Sequence, residues 1–271
     1  MTNALIENLQ KQWSATRQES LVVTSDERVS AGASAATSLL DVLVDGRETR
    51  VVLQCMAGRQ FGSGIGRREQ ARVQALAHAH GVPTAEVLLT LDPTDETPEG
   101  FVSRYLPGET LGRTIVSDPA LEHARERLTG DCADALARIH AIPLAAVHWL
   151  PQRFAESQLN ELAAIHRSYG DAIPIFELAI SWLSRNLPAQ REEVLVHGDF
   201  RNGNLIVDRD GLAAVLDWEL AHRGDPMEDL GWLCQRAWRF GEGQKEVGGF
   251  GDREALYRCY ERSTTRPLDR S

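Results

Sequence analysis

"VLVHGDFRNGNLIVD", residues 194–208, decides how this chain is read. It holds a His, an Asp, an Arg and two Asn within eight residues, His197 to Asn204, with apolar runs on both sides. Two readings compete. A polar turn between strands needs only turn-forming residues, and an isolated "HGD" or "DG" is most often that. A loop that does phosphate chemistry needs a base, a cation and hard oxygen ligands brought to one place. Asn204 lies five positions after Asp199, and Asp217 lies thirteen beyond Asn204. Between them stand two short apolar runs, "NLIVD" and "LAAVLDW", split by "RDG". That pattern predicts a β-hairpin entered from the loop, which brings all three side chains to one end. Mg2+ takes oxygen ligands, keeps several waters and bridges phosphates. The Asp217 carboxylate and the Asn204 amide oxygen suit it. Asp199 is then free to take a proton from an attacking hydroxyl, and Arg201 to neutralise charge on a transferring phosphoryl group.

Outward from the loop, the chain divides in character. Leu121, Ala124, Leu128, Cys132, Ala135 and Ile139 recur at three- and four-residue steps within 119–140, one apolar helix face. Further helices are predicted at 157–169, 174–187, 226–239 and 252–262. The N-terminal part reads differently. A short amphipathic helix over 2–16 precedes a hairpin over 38–56, turned by the Asp-Gly of "DGRE". A helix at 66–80 ends at Gly81 and Pro83, and strands follow at 85–92 and 100–106. The expected class is α+β: a β-rich lobe, 1–106, and a helical lobe, 107–271, with a ligand cleft between them.

Composition narrows the partners. The chain has 271 residues, a net charge of −10 and 25% charged residues. An acidic chain lacks the basic face that nucleic acid or an anionic membrane requires, so neither is an expected partner. The four cysteines, Cys55, Cys132, Cys234 and Cys259, are widely spaced and form no CxxC pair, which argues against a zinc site or a disulfide framework. Free thiols in a reducing cytoplasm are expected. The N-terminus "MTNALIENLQKQWSATR" has no apolar core of a signal peptide, and no apolar run nears the roughly 20 residues of a membrane helix.

The combination of "HGDFRNGN" with "VLDWELAHRGDPMEDLGWL" resembles the catalytic and metal-binding segments of the aminoglycoside phosphotransferase and choline-kinase superfamily, which has the protein-kinase-like fold. More narrowly it resembles phosphotransferase domains related to those fused to some acyl-CoA dehydrogenases. The resemblance covers the chain from about residue 25 onward and is most specific in the C-terminal lobe. It implies ATP or GTP as donor, Mg2+ as cofactor and a hydroxyl-bearing small molecule as acceptor. It implies Asp199 as catalytic base, Asn204 and Asp217 as metal ligands, and His197 as a support of the loop. Asp225 and Asp229 match a later acidic pair, with Asp229 accepting hydrogen bonds from the loop backbone. Glu219 could orient a metal-bound water or face solvent. Trp218 and Trp232 are expected in the core.

The nucleotide side is less marked. "SAGASAAT", residues 30–37, resembles a small-residue turn over the phosphates, with Gly32 and Ser34 at its tip, although a plain turn reads equally well. "GSGIG", residues 62–66, reads as a flexible connection before the helix. "FVSRYLPGETL" resembles an interlobe hinge, where the backbones of Ser103 and Tyr105 would hold a nucleobase. Two departures stand out. The strand before the 66–80 helix should carry a Lys or Arg for the phosphates, paired with a Glu on that helix. Glu69 fits the Glu, yet "VVLQCM" offers Gln54, which can hydrogen-bond a phosphate without carrying charge. Arg50 and Arg59 lie near enough in sequence to compensate. The resemblance also implies further helices after "YERSTTRPLDRS"; a lobe without them would expose apolar helix faces. The expected function is a Mg-dependent small-molecule kinase. The alternatives are a weakened kinase-fold protein that only binds nucleotide, and a metal-dependent hydrolase, which would need a denser His/Asp cluster.

Overall fold

The computed structural model describes residues 1–31, 35–56, 64–171, 173–188 and 192–268. Helix α1 (Asn3–Arg17) opens the chain, its first turn capped by the Thr2 hydroxyl, which accepts the Leu5 N–H at 3.3 Å. The strands β1 (Leu21–Ala31), β2 (Ala35–Val44), β3 (Arg47–Met56), β4 (Val87–Leu91) and β5 (Gly100–Arg104) form an antiparallel sheet in the order β1-β2-β3-β5-β4. Val44 pairs with Arg47, so Asp45 and Gly46 make a two-residue turn. Their φ values, 47° and 77°, are those a type I′ turn requires, which is why Asp-Gly marks it. The predicted hairpin is therefore present. β1 is not among the predicted strands: beyond Leu21 it is largely exposed and polar, so no apolar alternation betrays it.

β3 shows the two-residue period of a strand covered on one face. Val51, Leu53 and Cys55 are buried with Leu9 and Trp13 of α1, Leu40 and Val42 of β2, and Val102 of β5. Val52 and Gln54 lie on the opposite face and are half-buried. Helix α2 (Arg67–Ala79) follows β3 and buries Val73 and Ala77 in the second core.

That core belongs to the C-terminal lobe: α3 (Gly112–Ser117), α4 (Glu122–His140), α5 (Ala155–Ser168), α6 (Pro174–Arg185), β6 (Val194–Val196), β7 (Leu205–Asp208), β8 (Gly211–Val215), β9 (His222–Gly224), α7 (Met227–Leu233) and α8 (Arg253–Thr264). All six residues of the predicted apolar face over 119–140 are buried. They pack with Phe200, Trp218, Leu230 and Tyr260, each large side chain contributing roughly 1.5–3 kcal/mol of burial. The helix predicted over 226–239 is shorter. It ends at Leu233, because Gln235 turns extended (ψ 143°), and a one-turn 3-10 segment follows at Arg236–Arg239. α6 buries none of its residues, and Ile175, Phe176, Leu178 and Trp182 are exposed, an uncovered apolar helix face.

Pro107-Gly108 lies on the connection from β5 to α3. Glu109 and Val207 exchange two backbone hydrogen bonds, at 2.8 and 2.9 Å, tying the connection to β7. Gly108 has φ 145°, and a Cβ there would stand 2.4 Å from Ile206 Cγ2, so only glycine fits. Among the described residues no helix is long and apolar enough to cross a membrane.

Candidate active site

The loop between β6 and β7 is fastened by buried groups before any reactive atom is placed. Asp229, fully buried on α7, accepts the His197 N–H at 2.8 Å, the Gly198 N–H at 2.9 Å and His140 Nε2 at 3.1 Å. Burial pushes its carboxyl upward, but the bond and charge of His140 and the neighbouring His197 outweigh that and hold it below the usual value. Gly198 turns with φ 85°, where a Cβ would meet the Leu220 carbonyl at 2.4 Å. His197 is itself buried, and its burial lowers its pKa. The neutral ring donates from Nε2 to the Leu216 carbonyl at 3.0 Å and accepts the Asp199 N–H on Nδ1 at 3.2 Å. His197 and Asp229 thus hold the loop, as expected of both. Asp225 does similar local work at the start of α7, its Oδ1 accepting the Met227 N–H at 2.8 Å.

The Asp199 carboxylate is held from three sides. Arg201 Nε lies 3.1 Å from both oxygens, Asn204 Nδ2 donates to Oδ2 at 2.6 Å, and Trp232 Nε1 donates to Oδ1 at 2.7 Å. The Arg201 guanidinium in turn lies 4.4 Å over the Trp238 ring, whose centroid is 5.5 Å from that of Trp232. Trp218 is in the core, as expected. Trp232 is not: it is 38% exposed and touches the candidate base. α7 buries Asp229, Leu230 and Leu233, which share one helix face and leave Trp232 outside it. That spacing is visible in the sequence; the contact with Asp199, 33 residues away, is not.

The β7–β8 ladder continues one step past its last strand pair, which brings Asn204 and Asp217 to the same end of the hairpin. Leu205 pairs with Val215, and the Leu216 N–H donates to the Asn204 carbonyl at 2.8 Å. Asp217 follows at once with φ 63°, a left-handed backbone uncommon for a residue with a Cβ. Because Asn204 Nδ2 is spent on Asp199, Oδ1 is the atom it can offer a cation. Burial pushes the Asp217 carboxyl up to about 6, aided by the charges of Glu219 and Asp199 and opposed by Arg67 and Arg201. A buried carboxylate beside two others favours a hard cation, so the donor set fits Mg2+. Among the described residues no group of three or more His, Cys, Asp or Glu is arranged as a metal cage. One carboxylate and one amide, with phosphates completing the shell, is the donor count a nucleotide-bound Mg2+ uses.

In the N-terminal sheet, Gln54 pairs with Thr37 and Phe101. Arg50 does not compensate for it. It stands four residues away, about 13 Å along the strand, is exposed, and is paired with Asp41 at 2.7 Å. Arg59, Gly32 and Ser34 lie outside the described residues. Glu69 sits in the first turn of α2 with its Oε2 against Gly66, and no hydrogen bond joins it to Gln54 among the described residues. Ser103 is buried in β5 opposite Val52, and Tyr105 follows the strand with Arg50 over its ring at 5.6 Å. Sequence reasoning passes over Arg67. It is 3% exposed, with Nη1 2.5 Å from Gln70 Oε1 and Nη2 3.4 Å from Glu219 Oε2. Glu219, expected either to orient a metal-bound water or to face solvent, is ion-paired with Arg67 through Oε2.

The family model described as "Phosphotransferase enzyme family" matches residues 27–267. Acyl-CoA dehydrogenase family member 10 of Mus musculus is 34% identical over 183 residues, covering 62% of this chain and 16% of that protein. Member 11 of Gallus gallus is 44% identical over 174 residues, covering 60% and 22%. The chain thus matches about a fifth or less of the length of these curated relatives. Among solved structures, a candidate aminoglycoside phosphotransferase from Ralstonia eutropha JMP134 superposes with a TM-score of 0.70 at 22% identity, covering 97% of this chain and 81% of that one. Spectinomycin phosphotransferase APH(9)-Ia, solved with ADP and spectinomycin, gives 0.64 at 11% identity, covering 99% and 81%. At these identities the structures show a shared kinase-like fold. With the family match spanning most of the sequence, the chain belongs to the phosphotransferase enzyme family.

Proposed function

We propose that the protein is a Mg-dependent phosphotransferase that moves the γ-phosphoryl group of ATP or GTP to a hydroxyl of a small molecule. The observation that carries this is the convergence at Asp199: Arg201, Asn204 and Trp232 orient one carboxylate, while Asn204 and Asp217 lie at the same end of the β7–β8 hairpin. In this reading residues 1–106 bind the nucleotide, with Ser103 and Tyr105 at the base, Gln54 and Glu69 towards the phosphates, and Gly32 and Ser34 over them. Residues 107–271 bind the acceptor and do the chemistry. Asp199 takes the hydroxyl proton as the acceptor oxygen attacks the γ-phosphorus and ADP or GDP leaves; three donors keep its carboxylate aimed. Arg201, stacked on Trp238, supplies positive charge beside the transferring group. Asn204 Oδ1 and the Asp217 carboxylate would hold Mg2+. Held there, it would supply positive charge to neutralise the phosphates during transfer. Solved relatives of the fold carrying ADP, AMP-PNP or GDP, some together with hygromycin B or kanamycin, support a nucleotide donor and a small hydroxylated acceptor.

The test is nucleotide consumption against a panel of hydroxylated metabolites, comparing wild type with Asp199→Ala. Turnover that falls about 10²- to 10⁴-fold in the variant supports the assignment; no turnover with any acceptor despite tight Mg-nucleotide binding counts against it. Gln54 favours one second reading, a protein that binds nucleotide without transferring phosphate. That reading predicts a thermal shift with nucleotide that is small and indifferent to Mg2+.

A further inference from the structure

In the proposed nucleotide lobe the arginines of β3, Arg47 and Arg50, stand at the end of the strand away from Gln54, where Arg50 is ion-paired with Asp41; Gln54 itself is neutral. A site for a triphosphate still needs positive charge, and the described cleft contains three acids, Asp199, Asp217 and Glu219. Arg201 is bound to the first of these. The other guanidinium in place is Arg67. Its position is fixed from the backbone: the Ile65 N–H donates to the Glu219 carbonyl at 2.8 Å, which ties the entry of α2 to the segment after Asp217. Arg67, two residues on, opens the helix.

From these contacts the geometry points to Arg67 as the phosphate-binding cation of the cleft, doing from the first turn of α2 what β3 does not do at Gln54. The assignment rests on the phosphotransferase reading. A guanidinium has five N–H donors. Gln70 and Glu219 take one each, which leaves three for a ligand among the described residues. Held at 3% exposure, it meets a phosphate with little competition from water. The end of α2 itself is not the anion site. The Arg68 N–H is already donated to Glu99 Oε1 at 2.9 Å, and the Glu69 carboxylate covers Gly66. What is offered is the Arg67 side chain. Its forked donors also span two phosphate oxygens, which a lysine on β3 would not.

Binding of MgADP and MgGDP, and of adenosine and guanosine, to wild type, Arg67→Gln, Arg67→Lys and the double variant Gln54→Lys/Arg67→Gln decides the matter. Calorimetry reads the affinities, and circular dichroism confirms that each variant is folded. Arg67→Gln should lose about ten- to hundredfold in diphosphate affinity, the range for one charge-assisted bond, with nucleoside affinity unchanged. Arg67→Lys should recover part of the loss, and adding Gln54→Lys to the Arg67→Gln variant should recover more. A wild-type chain that binds no diphosphate overturns the phosphotransferase reading and this one together. Wild type that binds, with Arg67→Gln binding equally well or losing nucleoside and diphosphate affinity in parallel, leaves that reading standing and overturns the role of Arg67.

Discussion

Replacing Asp217 by Asn should make the metal-free protein more stable. The Asp217 carboxyl titrates at about 6 against an ordinary 3.8 because it is buried beside Glu219 and Asp199. The folded chain therefore holds a proton that the unfolded chain has released between those two values. For an acid shifted upward, the group favours folding most at low pH. Stability falls as pH rises from about 4 through 6, and the full cost stands above that. Two units at 1.36 kcal/mol each is about 3 kcal/mol. Asn keeps the size and tolerates the left-handed backbone at φ 63° as well as Asp does. Asp217→Asn should accordingly gain about 3 kcal/mol at pH 7.5, roughly 5–10 °C in Tm for a chain of this length, and almost nothing at pH 4. The assay is thermal unfolding of both proteins in chelator at the two pH values. Adding Mg2+ and nucleotide should reverse the order, raising the wild-type Tm and leaving the variant unmoved. A variant no more stable than wild type at pH 7.5, or equally stabilised at both pH values, refutes the idea that Asp217 is an uncompensated buried charge suited to a cation.

Three other outcomes follow from the same contacts. Trp232→Phe keeps the ring and removes the 2.7 Å donor to Asp199; kcat should drop up to about tenfold, with nucleotide affinity unchanged in calorimetry. Asp229→Ala strips the acceptor from His197, Gly198 and His140, all buried or part-buried. It should cost about 3–5 kcal/mol by denaturant unfolding and abolish activity along with it. Phe176→Ser and Trp182→Ser, on the exposed face of α6, should each change stability by less than about 0.5 kcal/mol, and light scattering should show less self-association in concentrated solution.

What is legible in the sequence is whatever depends on near neighbours. Asp45-Gly46 announces its turn because few residue pairs accept two positive φ values. The face of α4 announces itself through a 3.6-residue period. Asn204 and Asp217 can be brought together on paper because one hairpin joins them. The illegible parts depend on distant partners or on weak pattern. β1 carries polar residues along its exposed length and borrows its stability from β2. The Arg67–Glu219 pair spans 152 residues, and nothing in "GRREQ" marks its first arginine as buried and its second as exposed. Trp232 reads as core because large aromatics usually are; its exposure follows from a helix of only 7 residues whose inward face is taken by Asp229, Leu230 and Leu233.

The central claim is phosphoryl transfer that depends on Mg2+ and on Asp199. It is tested most directly by release of ADP or GDP across a panel of hydroxylated acceptors, with Mg2+ and in chelator, for wild type and Asp199→Ala. The account predicts turnover with at least one acceptor class, lost in chelator and reduced about 10²- to 10⁴-fold in the variant. Turnover that survives in chelator, or that is equal in the two proteins, would contradict it.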